Sequence, residues 1–169
     1  MPAKTQLQLH VRPFEARDVA PANRLTNHYI QHTAVHFATQ PASDEEFAAG
    51  WTSGRETYPW LAAEIEGRFA GYAKCYQWRS REAYKRSAEV GIYVEDAFHR
   101  RGVGRALYAA LIQRCRDQGF HTLIAGIALP NDGSVKMHEA CGFAYVGAFQ
   151  EVGRKFDAWH GVGFWQLML

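Results

Sequence analysis

The chain has 169 residues, of which 47% are hydrophobic and 14% aromatic, and this is enough material for one domain with a sizeable core. Its net charge of +2 is small and comes from interspersed charges, so we expect no nucleic-acid partner. No apolar run approaches the roughly 18–20 residues that span a bilayer, and residues 1–6 lack the apolar core of a signal peptide. Cys75, Cys115 and Cys141 form no Cys-x-x-Cys pair and are typical of reduced thiols. We therefore expect a cytoplasmic protein without a membrane partner.

The first half of the chain predicts a strand, two helices and a hairpin. Residues 7–11 carry Leu7, Leu9 and Val11 in alternation with polar residues, which indicates a strand. Asp18 is placed to cap a helix that runs to about residue 31, and residues 43–46 form a capping box that opens a second helix. Residues 60–76 read as two apolar strands joined by a Glu-Gly turn.

The second half predicts a central strand and helix followed by a strand, a short helix and two closing strands. The predicted segments are the strand 89–94, the helix 103–118, the strand 121–127, the helix 131–142 and the strands 143–151 and 162–169. No linker or repeat interrupts residues 1–169, so we expect a single domain. This order of elements predicts an α/β (α+β) fold, with one mixed sheet and helices on both faces.

A basic turn between the central strand and its helix is the most informative stretch. Residues 99–104 read His-Arg-Arg-Gly-Val-Gly and lead directly into the helix. The first N–H groups of a helix have no partner inside it, the helix dipole adds positive charge there, and glycine lets a phosphate approach the backbone. The third glycine of a dinucleotide fingerprint and the Gly-Lys-Ser/Thr of a P-loop are both missing. The turn therefore predicts another kind of pyrophosphate site, or a tight turn without a ligand.

This turn, together with Asn131, Ser134 and the later Gly142-Phe143 pair, resembles the GNAT-type N-acetyltransferases. That family usually has Gln or Arg where this chain has His99. The likeness is closer to the phosphinothricin acetyltransferase branch and covers nearly the whole chain. The segments that carry it are residues 27–30, 36–41, 58–64, 129–132 and 159–166. The resemblance implies a GNAT fold, with one mixed, mostly antiparallel twisted sheet.

The resemblance also implies acetyl-CoA as cosubstrate, no metal, and a homodimer. In that family the turn amides bind the pyrophosphate and the central strand holds the pantetheine arm. The acceptor would be a small amino acid or glutamate analogue, such as phosphinothricin, methionine sulfone or methionine sulfoximine. The positions expected to bind the cosubstrate are Ile92, Tyr93, Val94, Arg100, Arg101, Gly102, Val103, Gly104, Arg105, Asn131 and Ser134.

Two residues are candidates for the proton transfers. An α-amino group titrates near ~8 and must lose a proton before it attacks a thioester. The resemblance gives the role of base to Glu89, and burial at the start of an apolar strand would raise its pKa. The alternative is a carboxylate paired with Arg86 or another cation. His138 is a candidate acid for the leaving thiolate, or alternatively a helix-face histidine bonded to a carbonyl.

A basic segment is the candidate for binding the acceptor. Arg79 and Arg81 share a face on an extended chain and could clamp an acidic group, with Tyr84 as a further donor. The resemblance adds a pocket wall made of other positions, which are Phe37, Tyr93, Ala128 and Val162. The alternative is that residues 79–86 form a solvated connector.

The cysteines and the histidines at residues 28, 32 and 36 offer two other kinds of chemistry. A covalent acyl-enzyme would need an activated cysteine, and none of the three has a clear base partner. His28, His32 and His36 would align as metal ligands only on a helix that continues past Thr33, so we expect no metal site.

Alternative functions are a GNAT enzyme that acetylates a protein N-terminus or a polyamine, and a non-catalytic acyl-CoA sensor. The apolar tail, residues 164–169, could pair two chains or form an internal strand.

Overall fold

A computed structural model describes residues 8–169, which form a seven-stranded sheet and four α-helices. The strands are β1 (Leu9–Pro13), β2 (Trp60–Ile65), β3 (Arg68–Gln77), β4 (Ser87–Val94), β5 (Thr122–Leu129), β6 (Ala144–Lys155) and β7 (Ala158–Met168). The helices are α1 (Val19–His32), α2 (Asp44–Thr52), α3 (Val103–Asp117) and α4 (Asp132–Ala140). Leu7, predicted in the first strand, lies outside the described residues. None of the helices in residues 8–169 has the length and apolar character needed to cross a membrane.

The sheet has the order β1-β2-β3-β4-β5-β7-β6 and is antiparallel except between β4 and β5. The parallel pairing is short. It begins with Ser87 opposite Thr122 and ends with Glu89 opposite Ile124. Beyond that pair β4 continues beside β3 only, and β5 continues beside β7. The predicted mixed, mostly antiparallel sheet is confirmed, and it opens at its centre just after Glu89.

Helices cover both faces of the sheet, as predicted. On one face, Leu107 and Leu111 of α3 are fully buried against small strand residues such as Ala73. On the other face, Leu25 of α1 and Trp51 of α2 pack around the fully buried Tyr72. The small residues on the α3 side let that helix approach the sheet closely, while aromatic rings fill the wider space on the α1 side.

Two details differ from the sequence prediction. Asp18 does not cap α1, since its carboxylate accepts two hydrogen bonds from the Arg12 guanidinium, at 2.7 and 2.8 Å, and one from the Glu15 amide. A buried arginine competes for the carboxylate that the helix amides would otherwise use. The last two strands are also longer than predicted, because Phe156 and Asp157 both adopt left-handed φ angles, 51° and 57°, and so make a two-residue hairpin.

Candidate active site

A cleft of about 530 Å³ lies where β4 and β5 separate, against the start of α3. Ten of the eleven positions predicted to bind the cosubstrate line this cleft. The exception is Arg101, whose guanidinium lies 5.7 Å from the centre of the Phe98 ring. Sequence reasoning missed several other lining residues, which are Tyr29, Val35, Phe98, His99, Gly133 and Met137. Only His99 carried a signal, as part of the basic turn.

The glycine turn presents free amides to this cleft. Gly102 stands at the N-cap of α3 with φ 82°, a left-handed conformation that suits glycine, and no side chain caps the helix. The first helical hydrogen bond runs from the Ala106 amide to the Gly102 carbonyl at 3.0 Å. Among residues 8–169 the amides of residues 102–105 have no acceptor, so they and the helix dipole are available to an anion. Gly104 also lets α4 approach, since a Cβ there would lie 2.7 Å from the Met137 sulfur.

Glu89 lies at the last parallel residue pair, next to the opening. Its Oε1 atom is 3.3 Å from the place that a Cβ on Gly126 would occupy, so the missing side chain of Gly126 leaves room for the carboxylate. Burial raises the pKa of Glu89 above its ordinary value, and the Tyr76 hydroxyl and the Lys74 ammonium oppose this without cancelling it. Arg86 does not pair with it, because its guanidinium donates to the Gly119 carbonyl at 2.8 Å. The carboxylate is therefore suited to accepting a proton.

Strand register places the other wall residues on the same sheet face as Glu89. Residues directly opposite each other on neighbouring strands share a face, and so do residues two apart along a strand. Glu89 is opposite Ile124, and Ala128, four residues further along β5, is opposite Val162. Tyr93, four residues beyond Glu89, belongs to this face as well. The same rule adds Lys74 and Tyr76, opposite Gly91 and Glu89, and these two were absent from the sequence prediction.

The loop after α1 packs over the end of this face. The Phe37 ring occupies the space above Gly153, where a Cβ would come within 2.1 Å of a ring carbon. The buried Lys155 fixes the loop by donating to the carbonyls of Ile30 and His36, at 2.6 and 2.5 Å. The His36 ring lies 6.2 Å from the Tyr93 ring, and burial, with the charges of Lys74 and Lys155, lowers its pKa to about 4. His36 is therefore neutral at pH 7.

The basic segment bends after β3 and gathers its polar side chains around one pocket. Residues 79–81 do not form the extended strand assumed from sequence, and a short 3-10 helix, Glu82–Tyr84, follows them. Arg79, Arg81 and Tyr84 nevertheless line one pocket of about 320 Å³. Arg79 also lines a neighbouring cleft of about 500 Å³ with Phe164. The Phe164 ring is 3.3 Å from the same Gly126 position as the Glu89 carboxylate, which connects the two regions.

His138 is buried and engaged on both ring nitrogens. Nδ1 lies 2.7 Å from the Ser134 carbonyl and Nε2 lies 2.7 Å from the Tyr108 hydroxyl. A carbonyl can only accept, so Nδ1 carries the proton and Nε2 accepts from Tyr108. Burial lowers the pKa of His138, which the Ser134 carbonyl only partly offsets. This is the arrangement expected of a helix-face histidine bonded to a carbonyl, and the acid role stays a prediction.

The structure also bears on two other candidates, a nucleophilic cysteine and a metal site at His28, His32 and His36. The Cys115 thiol and burial raise the pKa of Cys75, and burial raises the pKa of Cys141, so neither favours a thiolate. The α1 helix ends at His32, as the sequence indicated, and His36 lies beyond it in the loop. Within residues 8–169 no three potential metal ligands cluster.

The structure brings together a half-buried carboxylate, an opening in the sheet and free amides at a helix start. The chain belongs to the acetyltransferase (GNAT) family, whose model matches residues 23–143. It is 40% identical over 158 residues to the phosphinothricin N-acetyltransferase of Streptomyces viridochromogenes, covering 94% of this chain and 86% of that protein. It is 32% identical over 161 residues to the L-methionine sulfoximine/L-methionine sulfone acetyltransferase of Salmonella typhimurium, covering 94% of each.

A solved structure shares the fold over nearly the whole chain. The GNAT superfamily phosphinothricin acetyltransferase from Sinorhizobium meliloti, in complex with AcCoA, superposes with a TM-score of 0.92. The two are 28% identical, and the superposition covers 95% of this chain and 88% of that one. The predicted fold and the predicted acetyltransferase family are therefore confirmed.

Proposed function

We propose that this protein transfers the acetyl group of acetyl-CoA to the α-amino group of a small amino acid that carries a second polar group, a tetrahedral phosphorus or sulfur centre with oxygen atoms. Phosphinothricin and methionine sulfone, named in the relatives above, are compounds of this kind. The observation that carries the proposal is the half-buried Glu89 carboxylate, whose pKa is raised, at the opening of the sheet, on the face that also holds Tyr93, Ala128 and Val162.

The cosubstrate would lie in the cleft between β4 and the start of α3. Three features support this: the free amides of residues 102–105, the neighbouring Arg100 and Arg105, and the strand edge of β4 without a partner beyond Glu89. The amides would hold the pyrophosphate, and residues 92–94, Asn131 and Ser134 would contact the pantetheine or adenosine part. Acetyl-CoA supplies the thioester that the amine attacks. Within the chain a strand amide near Tyr93 or Val94 would stabilise the oxyanion.

Glu89 would take the proton from the acceptor ammonium, directly or through water. Its raised pKa brings it closer to that of the amine and improves it as a base. His138 would act as an acid only when doubly protonated, and its lowered pKa makes that form rare at neutral pH. We therefore expect turnover to depend on Glu89 far more than on His138. The amine would attack acetyl-CoA directly in a ternary complex. The raised pKa values of Cys75 and Cys141 support this, because they disfavour the thiolate that a covalent acyl-enzyme would need.

An acceptor panel tests the function. We expect the enzyme to release CoA thiol with methionine sulfone or phosphinothricin at a kcat/KM at least roughly 100-fold above that with spermidine, because Arg79 and Arg81 favour an acidic acceptor. Arg81→Gln should raise KM for these acceptors roughly 10-fold or more, with Arg55→Gln, an exposed arginine after α2 that lies over the Trp51 ring, as the matched control. Spermidine turned over equally well would favour the polyamine alternative. Acetyl-CoA binding without turnover of any acceptor would favour a sensor.

The proposal includes a cytoplasmic homodimer paired through β6. This edge strand exposes apolar side chains that the monomer leaves uncovered, namely Tyr145, Val146, Phe149 and Val152, and Trp159 of β7 is exposed beside them. A second copy of the chain would bury them. We expect sedimentation to give a dimer, and Val152→Asp to shift it towards monomer, with Gln31→Asp, at an exposed position of α1, as control. A monomeric wild type at micromolar concentration would contradict this part.

A further inference from the structure

Lys74 is a charged side chain inside the acceptor region that the proposed reaction has not used. It lies on β3 opposite Gly91 of β4 and beside Trp60 of β2. Its side chain runs above Gly91, with Cε 3.7 Å from the place that a Cβ on that glycine would occupy. The residue pair next to it on the same face is Tyr76 with Glu89. Its ammonium lies over the Trp60 and Tyr76 rings and is close enough to Glu89 for its charge to lower the pKa of that carboxyl.

The ammonium is held by aromatic rings instead of an anion. Nζ lies 4.9 Å from the centre of the Trp60 ring and 5.4 Å from that of Tyr76. No hydrogen bond or ion pair within residues 8–169 engages it, although it has three N–H donors. Burial lowers the pKa of Lys74 to about 8 despite the nearby charge of Glu89. A largely desolvated ammonium with unused donors is a receptor for a small anion.

We propose that Lys74 binds the α-carboxylate of the acceptor, so that the enzyme selects α-amino acids over simple amines. This inference rests on the proposed function. In an α-amino acid one carbon joins the amine to the carboxylate, so a donor to the carboxylate must lie close to the base that serves the amine. Lys74 meets that condition through its position diagonal to Glu89. Arg79 and Arg81 remain available for the phosphinate or sulfonyl oxygens at the far end of the acceptor.

The arrangement assigns each end of the acceptor to a different cation. The other charged and titratable groups around Lys74 are consistent with this, since His36 is neutral and Lys155 is occupied by two carbonyls. Within residues 8–169, Lys74 makes no ion pair or hydrogen bond, so its ammonium is available to a carboxylate on this part of the face. It acts as a specificity residue through direct contact with the acceptor, while Glu89 keeps the proton transfer.

The test compares two acceptors that differ only in the carboxylate, methionine sulfone and 3-(methylsulfonyl)propylamine. With Lys74→Met, KM for methionine sulfone should rise roughly 10- to 100-fold because a charged hydrogen bond is lost. KM for the amine should stay within about 3-fold of wild type, since it never made that contact. Lys74→Arg should recover part of the preference. Lys85→Met, an exposed lysine paired with Glu82, is the matched control and should change neither value.

Two results would overturn the inference. The first is an equal loss on both acceptors with Lys74→Met, which would mean a structural role or an effect on Glu89. The second is a wild-type enzyme that acetylates the amine as well as the amino acid. A wild type that binds acetyl-CoA but acetylates neither compound would contradict the proposed function itself. The failure of the proposed function is thus distinguished from a failure of the Lys74 inference alone. Should Lys74→Met not fold, Lys74→Gln carries the same comparison.

Discussion

Glu89→Gln is expected to lower kcat/KM for acetylation by about 100- to 10,000-fold, the usual contribution of a positioned general base. The substitution keeps the size of the side chain beside Gly126 and removes its capacity to take a proton. Binding of acetyl-CoA should change little, because the amides at the start of α3 do not involve this carboxylate. Steady-state kinetics with saturating acetyl-CoA, together with equilibrium binding of acetyl-CoA, measure the two effects separately.

The pH profile adds a second measurement on the same residue. The base must be ionised to act, and burial raises the pKa of Glu89 above the ordinary carboxyl value of 4.5. In the wild type kcat/KM should therefore fall as the pH drops through that raised pKa, on an acid limb displaced upward from 4.5. Glu89→Gln should lose that limb, whereas Glu56→Gln, a highly exposed carboxylate, should keep it. An unchanged rate in Glu89→Gln would remove Glu89 from the role of base.

Arg12→Met is expected to cost about 3–5 kcal/mol of unfolding free energy, because it leaves buried carboxylates without their cation. Arg12 is 8% exposed and binds Asp18, which is 2% exposed, through two hydrogen bonds. It also donates to Glu64 of β2. These contacts join β1, β2 and the start of α1. Urea unfolding monitored by tryptophan fluorescence measures the change.

The same ion-pair cluster gives a stability effect with a defined sign in pH. Arg12 lowers the pKa of Glu64 below its ordinary 4.5, so the stabilisation is present above that value and is lost as the pH falls through the lowered pKa. Arg12→Met should weaken this dependence. Arg17→Met is the matched control, since Arg17 also contacts Glu64 but is largely exposed, and it should cost less than about 1 kcal/mol. An equal loss of unfolding free energy in Arg12→Met and Arg17→Met would contradict the claim that burial makes the Arg12 ion pairs strong.

The sequence alone predicted the local parts of the site. The Gly102 turn follows from glycine's freedom at a left-handed φ and from the free amides of any helix start, both of which depend on neighbouring residues only. The order of helices and strands follows from hydrophobic periodicity in the same way. Arg79, Arg81 and Tyr84 line one pocket even though the segment bends, and their role in binding the acceptor stays a prediction.

Other features depend on partners far away in the chain. Asp18 looked like a helix cap, but Arg12 and the arrangement of β1 against β2 redirect its carboxylate. The sequence leaves His138 as either a candidate acid or a helix-face histidine, and only the packing of α4 against α3 brings the Tyr108 hydroxyl to its Nε2 atom. Lys155 fixes the loop of Phe37 across more than a hundred residues of sequence.

What the sequence by itself determined is a family, a fold, a glycine turn at a helix start and a candidate base, because these follow from residue types, their local spacing and the resemblance of segments along the chain. The tertiary structure decided where β4 and β5 part and which side chains share the face of Glu89. Strand register sets that face, and register is fixed by pairing between segments that the chain brings together only on folding. In the sequence, Lys74 cannot be distinguished from any other lysine on a strand. Only the pairing of β3 with β4 places it next to Glu89.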